Sequence, residues 1–434
     1  MKLARYCGTL SVLLPLCSLA DVGSAQLESQ AAKVDPQVIT WRRDIHQNPE
    51  LSNREFRTSK LVAAHLKKLG LPTQTGIAHT GVSAVLKGGR PGPVIALRAD
   101  MDALPVTEQV DVPFKSTLTT EYLGKKVGVM HACGHDAHVA ILMGVAQALV
   151  AVKDDLPGTV LFIFQPAEEG APEGEEGGAE LMLKDGLFAQ TRPEAVFGLH
   201  VAAQIPSGVI GYRSGPFMAG SDTFLIEVSG RQAHGSRPWA GIDPVVAASQ
   251  IVLGLQTIVS RQVDITQLPA VVTVGKIDGG VRSNIIPDKV EMRGTIRTFD
   301  PKVRADIIQR VERISQNVAA ASGASAKVTI GPAPNPVVHN DEQLTQRVLP
   351  SLRRTVGEQR VIQVPLQTGA EDFAFYAQQV PSVFFYVGVT PANSDVANAG
   401  SNHSPLFYID EPAIGVAMRA LMNVAVDYLQ GPRT

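Results

Sequence analysis

Residues 131–138 read H-A-C-G-H-D-A-H, placing three histidines, one aspartate and Cys133 within eight positions. Thiolate, imidazole and carboxylate are the donors that hold borderline divalent ions such as zinc. Only Gly134 separates Cys133 from His135, so a loop or a helix start can aim both at one ion. Asp136 and His138 can stand behind them and orient a ligand ring by hydrogen bond. A polar helix cap beside a buried free cysteine gives the same local sequence and is the competing reading.

A second cluster, F-Q-P-A-E-E-G at 164–170, places Glu168 and Glu169 just beyond an apolar run. Consecutive glutamates in a tight turn can point in different directions, one to a metal and the other to its water. That division suits metal-assisted hydrolysis, in which a carboxylate takes the water's proton. A solvated acidic loop is the plain alternative, since E-G-E-E follows shortly after. His200 ends another apolar run, and His403 lies in the polar loop G-S-N-H-S-P. A lone histidine is more often structural, and sequence does not show that these two converge with the others. No G-x-S-x-G elbow, P-loop or H-E-x-x-H is present, so a serine-hydrolase reading is weak.

These residues need strands that end near one another. Continuous apolar runs at 93–100, 158–166, 195–201 and 380–389 are bounded by turn residues, as expected of strands covered on both faces. Helical stretches at Val139–Val152 and Gly178–Leu187 alternate with them. This order implies an α/β domain with a largely parallel sheet, whose sites form beyond the carboxyl ends of its strands. The middle differs. Residues 219–331 read strand (Thr223–Ser229), helix (Asp243–Val259), strand (Ala270–Ile277), strand (Lys289–Thr298), helix (Pro301–Ala320), strand (Ala326–Ile330). That is the β-α-β-β-α-β order of a ferredoxin-like α+β module. The expected organisation is a catalytic domain in two parts, 34–218 and 332–434, interrupted by the module at 219–331.

Composition narrows the class. The chain has 434 residues, 44% of them apolar and 18% charged, enough to bury a sizeable core. Thirty-nine basic against 41 acidic side chains argue against a nucleic-acid partner. Lys2 and Arg5 precede an apolar run from Leu10 to Ala20, and Gly23 and Ala25 precede Gln26. The order is that of a secretory signal peptide over residues 1–25, which implies export to a periplasm or the exterior. The run is too short to span a bilayer, and no membrane association is expected after cleavage. Cys133 is then the only cysteine left, without a disulfide partner in its own chain.

Eight segments together resemble the dinuclear metallopeptidase family M20, in its aminoacylase/amidohydrolase subgroup. They are W-R-R-D-I-H-Q-N-P-E-L-S (41–52), L-R-A-D-M-D-A-L-P (97–105), H-A-C-G-H-D-A-H, Q-P-A-E-E-G, G-R-Q-A-H-G-S-R-P (230–238), G-G-V-R-S-N-I-I-P (279–287), G-A-E-D-F (369–373) and S-N-H-S-P (401–405). The resemblance implies two divalent metal ions, zinc or manganese, held by Cys133, His135, Glu169, His200 and His403. It implies Glu168 as general base and later acid. The inserted module would be a lid and dimerisation domain, making the chain a homodimer. His234 would stabilise the oxyanion, across the dimer or within the chain, and Asn284 would help grip the substrate. The implied activity is hydrolysis of the amide bond of N-acyl or N-aroyl amino acids or short peptides, with a non-catalytic binding protein of the same fold as the alternative. Asp100 stands where the wider family has a metal histidine, and Cys133 where it has a bridging aspartate; the subgroup shares both changes. Ala132 replaces a bulkier residue usual in the subgroup.

Overall fold

Short connections and buried runs decide how the main sheet is threaded. The computed structural model describes residues 22–331 and 334–431. The proposed signal segment therefore lies almost wholly outside the described residues. Six strands of the main sheet come from the first half of the chain: β1 (Thr73–Ile77), β2 (Gly81–Lys87), β3 (Arg90–Asp100), β4 (Pro157–Gln165), β5 (Ala195–Pro206) and β6 (Ile210–Tyr212). The chain then builds a separate four-stranded sheet from β7 (Gly220–Ser229), β8 (Val271–Gly279), β9 (Lys289–Thr298) and β10 (Ser325–Ile330). It returns to the main sheet for β11 (Val361–Gln363) and β12 (Ser382–Thr390).

The eight-stranded sheet has the order β1-β2-β4-β3-β5-β12-β6-β11. Its four central strands are parallel: β3 pairs with β4 and β5, and β12 pairs with β5. The flanks depart from the parallel expectation. β1 with β2, β2 with β4, and β12 with β6 are antiparallel, which makes the sheet mixed. Only three residues join β1 to β2, too few for the crossover that a parallel pair requires.

Helices α1 (Ser24–Gln47), α2 (Phe56–Lys68), α3 (His135–Val150) and α4 (Gly178–Lys184) belong to this body. One large core lies between the sheet and a helical layer in which α3 is central. Nearly every side chain of α3 is buried, as its apolar residues all round require. Gly144 lets neighbouring helices approach it: a Cβ there would lie 2.6 Å from Val38 Cγ2 and 2.7 Å from Met418 Sδ. A smaller core on the other face includes Ile163, Met182, Phe373 and Phe384. Each such fully buried large apolar side chain contributes about 1.5–3 kcal/mol relative to exposure.

The inserted module has its own core. Its sheet order, β8-β9-β7-β10, is antiparallel throughout. Helices α5 (Pro244–Thr257) and α6 (Pro301–Ala321) both open on Asp-Pro. Asp243 accepts from the Val245 and Val246 N–H groups, and Asp300 from those of Lys302 and Val303. The aspartate satisfies free amides of the first turn, while proline has no N–H to lose and its φ already suits the helix. The chain closes with α7 (Glu342–Val356) and α8 (Pro412–Gln430), which pack on the main body. No helix of the described residues is long and apolar enough to cross a membrane.

Candidate active site

The central parallel strands end around one cavity of about 860 Å³. The loop after β3 supplies Asp102, the turn after β4 supplies Glu168 and Glu169, and β5 supplies His200. Cys133 and His135 flank the start of α3. Gly134 between them has φ +93°, a left-handed conformation, and a Cβ there would lie 2.3 Å from Val201 Cγ2. Glycine is therefore what lets this turn aim both donors inward. At the site, two non-glycine residues also adopt positive φ, Ala167 (φ 52°) immediately before Glu168 and His403 (φ 70°). Each is strained backbone held in place by its surroundings. The Ala167 N–H donates to Glu55 (2.9 Å), and the His403 N–H donates to the Ala132 carbonyl (2.8 Å).

The sulfur of Cys133 lies 3.3 Å from Nε2 of His200 and 3.3 Å from Nε2 of His403. His403 Nε2 is in turn 3.0 Å from Glu169 Oε1. Ligand atoms of Cys133, His135 and His200 all lie within 4.8 Å of one another, as do those of Cys133, Glu169 and His403. Cys133 thus belongs to two donor groups at once. His135, Glu168 and Glu169 form a further overlapping group.

Hydrogen bonds behind these donors fix which ring nitrogens are free. His135 Nδ1 donates to Asp102 (3.2 Å), which leaves its buried Nε2 without a hydrogen-bond partner. His200 Nδ1 donates to the Val201 carbonyl at 2.7 Å, leaving the lone pair of Nε2 toward Cys133. His138 is different: Nδ1 donates to Asp100 (2.5 Å) and Nε2 accepts from the Val201 N–H (2.9 Å). Both its nitrogens are used, so it braces the site rather than offering a ligand. Asp102 also accepts the N–H groups of Glu168 (3.1 Å) and Glu169 (3.0 Å), and so orients both glutamates.

Charges are crowded here. Burial, then Glu371 and Glu169, push the Glu168 carboxyl well above its ordinary range. Burial, with Glu169 and Glu168, likewise pushes the Cys133 thiol up. Burial works against the charged form of His135, but Asp100 and Asp102 more than offset it and raise its pKa to about 10. Burial and His138 hold His200 well below its usual value. A divalent cation fits this set, because it would relieve the acid crowding and occupy the unpartnered Nε2 of His135.

The structure brings Cys133, His135, Glu168, Glu169, His200 and His403 together. It does not bring His234 and Asn284 to them within the chain. Those two sit side by side on an exposed two-stranded ribbon of the inserted module, where the Gly235 N–H donates to the Asn284 carbonyl at 2.8 Å. Neither lines the cavity. Three features escape the sequence reading. Arg98 is fully buried and bonds Asp100 (2.6 Å), Glu371 (2.9 Å), Asp372 (3.0 Å) and Gln165 (2.9 Å). Arg297, on β9 of the module, lines the cavity, and so does Tyr386 on β12. Arg297 lies on the more polar face of an alternating strand, where sequence cannot separate it from an ordinary surface cation.

Residues 96–427 match the description of peptidase family M20/M25/M40. The chain belongs to that family. Among the family's characterised members it is 39% identical to thermostable carboxypeptidase 2 of Saccharolobus solfataricus, over 93% of this chain and 98% of the relative. It is 40% identical to the N-acetyl-L-cysteine deacetylase of Bacillus subtilis, over 88% and 85% of the two chains. Among solved structures, the YxeP protein of Bacillus subtilis, a dinuclear metal-binding peptidase of the M20 family, superimposes with a TM-score of 0.76. The two are 35% identical, over 91% of this chain and 98% of YxeP. This M20 family member is accordingly a metal-dependent hydrolase of amide bonds with the dinuclear metallopeptidase fold.

Proposed function

We propose that the cavity hydrolyses N-acyl or N-aroyl amino acids, or short peptides, and releases a free amino acid. Cys133, His135, Glu169, His200 and His403 would hold two divalent ions. A thiolate among the ligands favours zinc, and manganese suits the remaining nitrogen and oxygen donors. When bound, such ions lower the pKa of water and polarise a carbonyl. Glu168 is the group that takes the water's proton and later returns it to the leaving amine. Its side chain is 8% exposed and lies 3.8 Å from His135 Nε2. That placement, a largely buried carboxylate beside the converged donors, carries the reading.

Arg297 supports the substrate class. It lines the cavity, burial lowers its pKa, and among the described residues no carboxylate pairs with it. A substrate carboxylate would supply the missing counter-charge. Glu168→Gln tests the mechanism: we expect turnover of N-acetyl and N-benzoyl amino acids to fall about 10²–10⁴-fold, with metal content unchanged. Wild-type turnover in that variant would sink it. The complete donor set and Glu168 speak against a non-catalytic binding protein.

The proposal extends to a homodimer. The inserted module exposes Trp239 (79%), Leu253 (71%) and Val281 (96%), an amount of apolar surface that a second copy would cover. His234 and Asn284 on the same module would then face a partner's cavity. A monomer by light scattering at working concentration would remove this part. Export to a periplasm or the exterior follows from the N-terminal pattern, and the N-terminal residue of the mature protein tests it.

A further inference from the structure

Two adjacent parallel strands set Tyr386 beside His200. Their Cα atoms are direct partners in the β12–β5 register, so both side chains leave the same face of the sheet. The ring centroids lie 6.1 Å apart, and Phe217 packs against the tyrosine ring at 4.9 Å. Tyr386 lines the same cavity as Cys133, Glu168 and His200. A phenol is protonated at neutral pH, so its hydroxyl can donate. Among the described residues nothing hydrogen-bonds to its hydroxyl.

Two other neutral donors of the cavity are engaged. The Asn402 amide donates to the carbonyls of Cys133 (3.2 Å) and Val201 (3.0 Å), and Gln367 donates to Pro365 (2.8 Å). His234, the donor that sequence resemblance suggests for the oxyanion, does not reach the cavity within the chain. Tyr386, with its ring packed beside His200 and Phe217 and its O–H free, is thus a donor that the chain itself places in the cavity.

We infer that Tyr386 is a further catalytic residue, whose hydroxyl donates a hydrogen bond to the scissile carbonyl oxygen as that oxygen becomes an oxyanion. As water's oxygen adds to the carbonyl carbon and its proton passes to Glu168, the carbonyl π pair moves onto oxygen. A donor already aimed at that position stabilises the charge without reorganising. The inference rests on the hydrolytic reading of the cavity.

The test compares Tyr386→Phe, which keeps the ring and removes only the donor, with wild type and Glu168→Gln. All are assayed as metal-loaded protein on an N-benzoyl amino acid. For Tyr386→Phe we expect kcat to fall about 10²–10³-fold, the scale of losing one oxyanion donor. KM should stay within about threefold, because the bond forms only in the transition state. Affinity for an N-acyl aminophosphonate, whose tetrahedral anion imitates the intermediate, should weaken in parallel, while affinity for the product amino acid should not change. Metal content should equal that of wild type. Wild-type kcat and phosphonate affinity in Tyr386→Phe would overturn the inference. So would a loss explained by missing metal, which would mean that the ring merely positions His200. If Glu168→Gln keeps turnover, the hydrolytic reading itself fails. If Glu168→Gln is inactive and Tyr386→Phe is wild type, only the role of Tyr386 fails.

Discussion

His46 offers a test of how the start of α3 is held. It is 2% exposed, with Nδ1 lying 2.8 Å from Asp136 and Nε2 3.1 Å from Glu108. Each ring nitrogen faces a carboxylate, so both carry protons and the ring is an imidazolium. Burial alone would depress its pKa, but Asp136 and Glu108 more than offset this and raise it above the ordinary histidine value. His46→Gln keeps the approximate size and removes the charge. Losing one partner of a buried pair costs about 3–5 kcal/mol. Here Arg42 remains 2.9 Å from Asp136, and the Ser116 N–H remains 2.7 Å from Glu108. The expected loss is therefore at the low end, about 3 kcal/mol. A histidine with a raised folded pKa adds stability that is complete below its unfolded pKa and fades as pH climbs through the folded value. The difference between wild type and His46→Gln should accordingly be largest near about pH 5.5 and shrink by about pH 9. Urea unfolding at both pH values measures it. A difference that is constant, or that grows with pH, would refute the imidazolium assignment. Because Asp136 adjoins His135, the variant should also bind metal about 10–100-fold more weakly, as read by metal titration.

Gly134→Ala must place a Cβ 2.3 Å from Val201 Cγ2 at φ +93°, so we expect a loss of about 1–3 kcal/mol together with reduced metal content. Arg98→Met should cost about 3–5 kcal/mol, since it leaves three buried carboxylates without their cation. Burial raises Glu371 to about 7 and Asp372 to about 6, against the pull of Arg98. For acids with raised folded pKa values, stability falls as pH rises toward those values. Removing Arg98 lifts them further, so the deficit of Arg98→Met should widen above about pH 6, as measured by urea unfolding. Arg297→Met should raise KM about tenfold or more for substrates with a free α-carboxylate and leave KM for the matching amides nearly unchanged, as steady-state kinetics would show.

What could be read in advance follows from what each signal reports. Metal donors are uncommon residue types, and they crowd at 131–138 and 168–169, so their chemistry is visible without a fold. The inserted module was legible because its strands alternate and its helices open on Asp-Pro. The apolar pattern places the start of α3 at Val139 rather than His135, because the first turn is polar and preceded by a left-handed glycine. Arg98 looked like the polar end of an apolar strand; its carboxylate partners Glu371 and Asp372 lie more than 270 positions away. Tyr386 was hidden for a related reason. In the run V-P-S-V-F-F-Y-V-G-V both faces of the strand are covered, so alternation no longer tells a core face from a cavity face. Only the pairing with β5 shows that Tyr386 stands beside His200. Composition thus reveals Glu168 and the residues that would bind metal, whereas a cavity ring such as Tyr386 is placed by register between strands nearly two hundred residues apart.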